Sequence, residues 1–155
     1  MNKNNSLKIG IAGLGNVGQG VFRILTEQKE LLTKRCGRQV EIVAVSARDK
    51  SKDRGLNLSG VKWYDNPVEL AGDANVDCVV EVIGGDSGPA AETVRTALKN
   101  GKHVVTANKA LIAKHGVELA KLAEKKKTLP CSLKARLPAA FLSLRQSRKA
   151  WLGII

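Results

Sequence analysis

Two groups of residues have the types and the spacing to bind an anion and to act on a bound molecule. The first is the run Gly13-Leu14-Gly15-Asn16-Val17-Gly18, a G-x-G-x-x-G pattern that directly follows an apolar segment. Backbone N–H groups in such a turn can face a phosphate where a helix begins. The second is Thr106-Ala107-Asn108-Lys109, which offers an amide and an ammonium. The sequence therefore predicts a site for a phosphate-bearing ligand beside a polar, cationic segment.

Each glycine of the first run has its own physical reason. Gly13 permits a tight turn, Gly15 lets the backbone approach a pyrophosphate without a Cβ in the way, and Gly18 allows close packing of helix on strand. The pattern alone is weak evidence, but here it stands between a predicted strand and a predicted helix, the context in which it binds a dinucleotide. The alternative is a tight turn with packing glycines and no ligand.

The residues after the second predicted strand bear on which dinucleotide is bound. Arg48 carries a guanidinium that suits the 2′-phosphate of NADP. Asp49, one residue later, could instead bond the ribose 2′-hydroxyl of NAD. We therefore expect NADP or NAD as the cofactor, with NADP favoured. In the alternative interpretation Arg48 and Lys50 belong to a solvated loop.

Strands and helices alternate along the segment that contains both groups. The predicted strands are Leu7–Ala12, Val40–Ser46, Val61–Tyr64, Asp77–Ile83 and His103–Thr106. The predicted helices are Asn16–Thr33, ended by Gly37, a short one opened by Asp65-Asn66-Pro67, Pro89–Asn100 and Lys109–Lys126. Such alternation requires right-handed crossovers and a parallel sheet covered by helices on both faces. The fold class is α/β, a Rossmann-type doubly wound parallel sheet of about five strands.

In such a sheet the ligand crevice lies at the carboxyl ends of the strands. The fourth strand ends in Ile83-Gly84-Gly85, and the fifth runs into Thr106-Ala107-Asn108-Lys109, so the two segments should meet there. A lysine at the start of a helix is slightly disfavoured by the helix dipole. This favours a ligand-directed role for Lys109, the alternative being a solvated surface residue.

Three stretches, IAGLGNVGQGV, VVEVIGG and GKHVVTANKALIAKHG, resemble the cofactor domain of homoserine dehydrogenase. The resemblance runs in order from Leu7 to Lys126, and VVTANKAL is its most specific part. It implies NAD(P)-dependent interconversion of L-homoserine and L-aspartate 4-semialdehyde, in threonine, methionine and isoleucine biosynthesis. It also implies that Lys109 is catalytic and lies near the nicotinamide and the substrate. The expected cofactor-binding residues are Gly13, Leu14, Gly15, Asn16, Val17, Gly18, Arg48, Ile83, Gly84, Thr106, Ala107, Asn108 and Lys109.

The chain of 155 residues has a formal net charge of +12, which would be typical of a nucleic-acid or membrane-surface protein. The charge is unevenly divided, however. Residues 1–127 contain 21 basic residues and all 14 acidic ones, whereas residues 128–155 contain five basic residues and no acid. We therefore divide the chain into an NAD(P)-binding domain, 1–127, and an aberrant basic tail, 128–155. The three cysteines, Cys36, Cys78 and Cys131, are widely spaced, and no metal site is predicted.

The tail can be explained by a shifted reading frame. In the family a sixth strand with an acidic residue and a segment like Gly-Gly-Ile-Pro-Ile-Ile-Lys follow the last helix, and nothing similar stands after Lys127. Codons chosen for Pro138 to Gln146, read two bases later, encode Gly-Gly-Ile-Pro-Ile-Ile-Lys-Thr. Continued through Ile154, the same frame allows Ile-Ser-Glu-Gly-Leu-Ala-Gly-Asn-His. The hypothesis is a one-base frameshift near Lys125-Lys126-Lys127, and the alternative is a genuine basic amphipathic tail.

On this interpretation the sixth strand, the substrate domain and most of the family's dimer interface are missing, and the chain alone should be inactive. Homoserine and aspartate semialdehyde are the expected partners of the complete enzyme, which the family resemblance implies is a homodimer. No nucleic acid and no membrane are expected, and the default compartment is the cytoplasm. The alternative function is a non-catalytic NAD(P)-binding module whose basic tail binds a membrane or nucleic acid. A third possibility, a dehydrogenase acting on another substrate, is limited by the specificity of TANKAL.

Overall fold

The fold is built on a parallel sheet, seen in a computed structural model that describes residues 6–125 and 142–143. Its parallel strands are β1 (Leu7–Ala12), β2 (Val40–Ser46), β3 (Lys62–Tyr64), β4 (Cys78–Glu81) and β5 (His103–Thr106). They lie in the order β3-β2-β1-β4-β5. This confirms the Rossmann-type doubly wound sheet expected from the sequence.

The edge of the sheet beside β5 differs from the prediction. A two-residue strand, β6 (Leu142–Ser143), pairs antiparallel with β5, with Thr106 opposite Leu142. We expected this edge to have no further strand. An edge strand exposes unpaired N–H and C=O groups, and pairing with them depends on the backbone rather than on particular side chains. Residue types could therefore not reveal this contact. The rest of the tail predicted at 128–155, and so its proposed frame, lies outside the described residues.

The sheet is covered by the helices α1 (Asn16–Glu27), α2 (Lys29–Cys36), α3 (Pro67–Gly72), α4 (Pro89–Lys99) and α5 (Lys109–Lys125). One prediction is wrong here, because the single helix expected over Asn16–Thr33 is divided at Gln28. The apolar spacing continues into Leu32, which packs on the same core as α1. The spacing of apolar residues indicates which side chains face the sheet, but it does not indicate a local change in the backbone dihedral angles.

Local signals placed the other helix ends well. Asn66 caps α3 by accepting a hydrogen bond from the Val68 N–H at 2.9 Å, and Pro67 follows at the first helical position. Gly37 ends α2 in the left-handed conformation, with φ of +69°. β4, in contrast, ends at Glu81 rather than at the predicted Ile83, so Val82 and Ile83 belong to the loop that follows.

The core has two halves, one on each face of the sheet. In β4, Val79 packs in the cluster that includes residues of α3, α4 and α5, whereas Val80 packs with Phe22 of α1. Successive residues of a strand point to opposite faces of the sheet, so each central strand contributes side chains to both halves of the core. Burial on both faces fixes the strand register, and with it the positions of the loops at the carboxyl edge.

Candidate functional site

The order of the strands locates the crevice. Strands β2 and β3 extend the sheet to one side of β1, and β4 and β5 extend it to the other. The order therefore reverses between β1 and β4, and a doubly wound sheet binds its ligand at that point, outside the carboxyl ends of the strands. The loops after β1, β2, β4 and β5, where the predicted site residues lie, meet at this edge.

The glycine run forms a tight turn between β1 and α1. Gly13 has φ of +104°, and a Cβ added there would lie 2.9 Å from the Val82 carbonyl oxygen. A Cβ on Gly18 would collide with the Gly13 carbonyl oxygen and approach the Val82 side chain to 3.2 Å. Gly13 therefore allows the backbone of this turn to pack against the loop after β4, and Gly18 allows α1 to pack closely against the turn.

Gly15 has a different environment. A Cβ added to Gly15 would meet nothing within 4 Å, so the space in front of this residue is open. Gly15 is the N-cap of α1, and no side chain among the described residues caps this helix. Asn16 and Val17 are exposed, and the first turn contains no acidic residue. The helix thus presents uncapped N–H groups and its positive dipole end to the crevice, an arrangement that favours an anion.

Leu14 is oriented away from the crevice. Its side chain is buried in the core half that includes α1, so only its backbone could contact a ligand. Its carbonyl oxygen already accepts hydrogen bonds from Gln19 Nε2 at 3.2 Å and Arg54 Nε at 3.3 Å. The prediction of Leu14 as a cofactor-binding residue is thus limited to its main chain.

On the β2 side of the crevice, Arg48 and Asp49 differ in their freedom to meet a ligand. Asp49 Oδ1 accepts hydrogen bonds from the Ser51 N–H at 2.9 Å and the Ser51 hydroxyl at 2.7 Å. These two hydrogen bonds lower the pKa of Asp49 and fix its carboxylate within its own loop. Arg48, two residues after the end of β2, is exposed like Asp49, and its side chain has no such hydrogen bond to its own loop among the described residues.

Arg54 joins this loop to the glycine turn, a contact that no motif in the sequence indicates. Its guanidinium donates to the Leu14 carbonyl at 3.3 Å and to the Asp49 carbonyl at 2.6 Å. It also lies 5.5 Å from the centroid of the Trp63 ring, within cation–π range. Arg54 lies in a polar loop whose composition indicates no function. No rule of sequence spacing relates it to Leu14, 40 positions earlier.

On the other side, Asn108 links the loops after β4 and β5. Its Nδ2 donates to the Ile83 carbonyl at 3.2 Å and to the Gly85 carbonyl, and its Oδ1 accepts from the Leu111 N–H at 3.0 Å. The structure therefore brings the two segments together, as the strand order required. The same side chain also caps the first turn of α5.

Lys109, the first residue of α5, is exposed. Among the described residues no carboxylate forms an ion pair with its ammonium. Lys114, one turn later on α5, is paired with Asp86 at 3.2 Å and so connects the glycine-containing loop to the helix. Lys109 is thus a cation at this edge with no carboxylate partner in the described part of the chain.

Glu81, the last residue of β4, is buried beside this edge. Its Oε1 accepts from the Ile83 N–H at 2.7 Å, and its Oε2 accepts from the Thr106 hydroxyl. Burial raises the pKa of Glu81, while hydrogen bonds from Thr106, Ile83 and Asn108 oppose the rise. No motif in the sequence assigns a role to Glu81; the signal that could have identified it is an acidic residue inside an apolar strand.

The residues present fit a dinucleotide. The open face of Gly15 and the uncapped start of α1 suit a pyrophosphate, Arg48 lies on the β2 side, and the Asn108 and Lys109 segment lies on the β5 side. No group of three or more potential metal-ligating side chains occurs within residues 6–125. None of the helices described there is long and apolar enough to cross a membrane.

Residues 13–129 match the family model described as the NAD-binding domain of homoserine dehydrogenase. The chain is similar to the homoserine dehydrogenase of Neisseria gonorrhoeae, with 41% identity over 79% of this chain and 28% of the relative. It is also similar to that of Pseudomonas aeruginosa, with 44% identity over 77% of this chain and 27% of the relative. The chain thus spans little more than a quarter of the length of these curated relatives.

Solved structures give the same result. The crystal structure of a homoserine dehydrogenase from Thiobacillus denitrificans is similar with a TM-score of 0.72 and 41% identity, covering 79% of this chain and 28% of that one. A hyperthermophilic archaeal homoserine dehydrogenase mutant in complex with NADPH has a TM-score of 0.60 and 26% identity. That match covers 78% of this chain and 41% of the archaeal one.

Proposed function

The chain belongs to the homoserine dehydrogenase family, and from that premise we propose that it binds NADP in preference to NAD as part of an enzyme that interconverts L-homoserine and L-aspartate 4-semialdehyde. The observation that carries the proposal is the start of α1. It is uncapped, follows directly on the glycine turn, and lies where the strand order reverses. A pyrophosphate at this position would gain both the helix dipole and unpaired N–H donors.

The strand order supports one direction for the dinucleotide. In the proposed orientation the adenosine half lies over β2, where Arg48 is exposed, and the nicotinamide half lies over β4 and β5, beside Ile83, Gly84 and Thr106 to Lys109. Arg48 supports the preference for NADP because a guanidinium can hold a 2′-phosphate with paired hydrogen bonds. The carboxylate of Asp49 is already engaged by Ser51, which weakens it as a partner for a free ribose hydroxyl.

The bound nicotinamide supplies a hydride acceptor for the alcohol and a hydride donor for the aldehyde. Lys109 is the catalytic residue proposed on this chain. Its exposed ammonium at the start of α5 would stabilise the negative charge that develops on the substrate oxygen as the carbon–hydrogen bond forms or breaks. The acid–base and carboxylate groups that complete the reaction in the family are proposed to lie outside residues 1–127.

We also propose that residues 128–155 are encoded out of frame and that the frame-restored chain continues into the family's further segments. The support is the break in acidic residues after Glu124 and the Gly-Gly-Ile-Pro-Ile-Ile-Lys-Thr encoded in the shifted frame across Pro138 to Gln146. The complete enzyme is proposed to be a cytoplasmic homodimer that does not bind nucleic acid or membranes.

The proposal is tested by titrating the purified 155-residue chain with NADPH and with NADH, using calorimetry and nicotinamide fluorescence. We expect saturable binding of both, with NADPH the tighter ligand, and no oxidation of L-homoserine by this polypeptide alone. Adenosine, which lacks phosphate, is the matched control and should bind far more weakly. A folded chain that binds neither dinucleotide would overturn the proposal.

A further inference from the structure

Four residues at the carboxyl edge form a closed circuit of hydrogen bonds. The Ile83 N–H donates to Glu81 Oε1 at 2.7 Å, and the Ile83 carbonyl accepts from Asn108 Nδ2 at 3.2 Å. The Asn108 N–H donates to Thr106 Oγ1 at 3.0 Å, and the Thr106 hydroxyl donates to Glu81 Oε2. The circuit thus begins and ends on the carboxyl group of Glu81 and passes through the loops after β4 and β5.

The carboxyl group of Glu81 connects the ends of β4 and β5 beneath the two loops, since it accepts from Ile83 on one side and from Thr106 on the other. Glu81 and Thr106 are opposite each other in the β4–β5 register, and both are buried. Above them, Ile83 and Asn108 are partly exposed and belong to the loops themselves. The lower half of the circuit is therefore fixed by the sheet, and the upper half lies where a ligand would be bound.

A buried acidic side chain is costly unless its oxygens are hydrogen-bonded. Among the described residues no ion pair involves Glu81, so hydrogen bonds alone satisfy it. If the residue at position 81 served only to stabilise the fold, an apolar side chain such as those of the neighbouring Val79 and Val80 would do so without the desolvation cost of a carboxyl group. The acceptor pair at this position is consistent with a requirement to hold two donors, the Ile83 N–H of the loop after β4 and the Thr106 hydroxyl at the end of β5, where the other loop begins.

We propose that Glu81 is a positioning residue that holds the loops after β4 and β5 in the arrangement that receives the nicotinamide half of the dinucleotide. Glu81 does not touch the ligand; it acts through Ile83 and through Thr106 and Asn108. The inference rests on the proposed function, because it takes the nicotinamide to lie over β4 and β5. The adenosine half, over β2, is held by residues outside the circuit.

The geometry predicts what Glu81→Gln would do. Both oxygens of Glu81 now accept, one from Ile83 and one from Thr106. A glutamine keeps one acceptor and turns the other into an NH₂ donor. If its oxygen stays with Ile83, its NH₂ faces Thr106 Oγ1 and the hydrogen bond between positions 81 and 106 is reversed, so the buried Thr106 hydroxyl loses the acceptor of its proton. This unsatisfied donor is introduced with almost no change of side-chain size.

The test compares two ligands on the full 155-residue chain: NADPH, and adenosine 2′,5′-bisphosphate, which has no nicotinamide. For Glu81→Gln we expect NADPH affinity to fall by about 10-fold, the scale of one or two hydrogen bonds lost from a positioned site. Affinity for the bisphosphate should stay within about 2-fold of the unmodified chain. The fluorescence of bound NADPH should also lose the enhancement and blue shift that report an enclosed nicotinamide.

Thr106 provides an independent pair of variants. Thr106→Val removes the hydroxyl at constant shape and should reproduce the selective loss, whereas Thr106→Ser retains the hydroxyl and should restore NADPH binding. This pair decides the question if Glu81→Gln fails to fold. The matched control is Glu27→Gln, an exposed glutamate at the far end of α1, about 16 Å from the start of that helix.

The inference is overturned if Glu81→Gln and Thr106→Val bind NADPH as the unmodified chain does, with unchanged nicotinamide fluorescence; the proposed function would then still stand. It is also overturned if both ligands weaken equally, because Glu81 would then support the fold in general. If the folded, unmodified chain binds neither ligand, the proposed function fails and the inference fails with it.

Discussion

A Cβ added to Gly13 would lie 2.9 Å from the carbonyl oxygen of Val82, in a backbone conformation with φ of +104°. The turn after β1 and the loop after β4 are therefore packed main chain against main chain. This contact fixes the start of α1 relative to the loop that carries Ile83. Glycine at position 13 is a requirement of the fold, whereas the glycine two residues later faces open space and can be tested without disturbing the fold.

The first prediction concerns Gly15→Ala. Position 15 has φ of −72° and an open environment, so alanine fits, and loss of a glycine N-cap should cost at most about 1 kcal/mol of stability. The new methyl would occupy the space through which a pyrophosphate approaches α1, so NADPH affinity should fall by about 10-fold or more. Calorimetry and thermal unfolding measure the two effects separately.

Gly20→Ala is the matched control for that variant. Gly20 lies within α1, and an added Cβ would also meet nothing within 4 Å. Alanine inside a helix should raise stability by about 0.5–1 kcal/mol and leave NADPH affinity unchanged. Undiminished NADPH binding by Gly15→Ala would contradict the placement of the pyrophosphate at the start of α1.

The second prediction is that Arg48→Gln reverses or removes the preference for NADPH over NADH. A charge-assisted hydrogen bond contributes about 1.5–3 kcal/mol, so NADPH affinity should fall by about 10-fold or more while NADH affinity hardly changes. Competition titrations with both dinucleotides measure the ratio. Arg35→Gln, an exposed arginine in the last turn of α2, is the matched control. An equal loss for both dinucleotides would show that Arg48 does not recognise the 2′-phosphate.

The third prediction concerns pH. Burial raises the pKa of Glu81 above its ordinary value of 4.5, so the folded chain holds this proton more tightly than the unfolded chain does. The resulting stabilisation is fully present below pH 4.5 and is lost as the pH rises through the folded-state pKa. Glutamine cannot titrate. The thermal midpoint of the unmodified chain minus that of Glu81→Gln should therefore decrease as the pH rises from 4.5 towards neutrality.

For the pH experiment the exposed Glu27→Gln variant again serves as control, and its difference from the unmodified chain should not show this decrease. A difference for Glu81→Gln that stays constant, or grows with rising pH, would show that the folded state does not favour the protonated carboxyl group. The aspartates whose pKa is lowered, such as Asp49, are present in all three proteins and do not affect the comparison.

Most of the strands and helices could be predicted from the sequence, because burial on both faces of the sheet requires apolar residues at regular spacing along the chain. Short apolar strands, Pro67 and Pro89 at helix starts, and Gly37 at a helix end are all local signals, and each indicated the correct element, although β4 is shorter than predicted. The break at Gln28 and the pairing of Leu142–Ser143 with β5 were missed, since one is a dihedral change within a continuous apolar pattern and the other is a backbone contact.

Only those parts of the candidate site that belong to a recognisable sequence motif could be predicted. The glycine turn and the Asn108 segment could be placed at one edge because parallel strands share a direction. Arg54 and Glu81 could not be assigned roles, because their partners lie 40 and 25 residues away and only the folded geometry brings them together. The role of Asp49 depends instead on a local contact, because its carboxylate accepts hydrogen bonds from Ser51, two residues later, and this disfavours it as a ribose partner.

The fourth prediction concerns the gene sequence from codon 121 onward. With one base added or removed near Lys125-Lys126-Lys127, it should encode the segments that follow the last helix in other members of the family. Lysine codons are rich in adenine, and a run of one base is where a base is readily lost or gained. Sequencing the DNA and translating every frame is the measurement. Codons between Pro138 and Gln146 that forbid Gly-Gly-Ile-Pro-Ile-Ile-Lys-Thr in the shifted frame would contradict the hypothesis.

The fifth prediction assigns Lys109 to the chemical step and uses the frame-restored protein, in which turnover can be measured. Lys109→Met removes the ammonium and keeps a long side chain at the start of α5. Because loss of one group that stabilises developing negative charge costs about 10²–10³ in rate, kcat should fall by that order. NADPH affinity should change by less than about 3-fold, since Lys109 is proposed to act on the substrate oxygen. Lys99→Met, at the exposed end of α4, is the control and should retain kcat. A variant at position 109 that loses NADPH affinity and keeps kcat would show that Lys109 binds the cofactor and takes no part in catalysis.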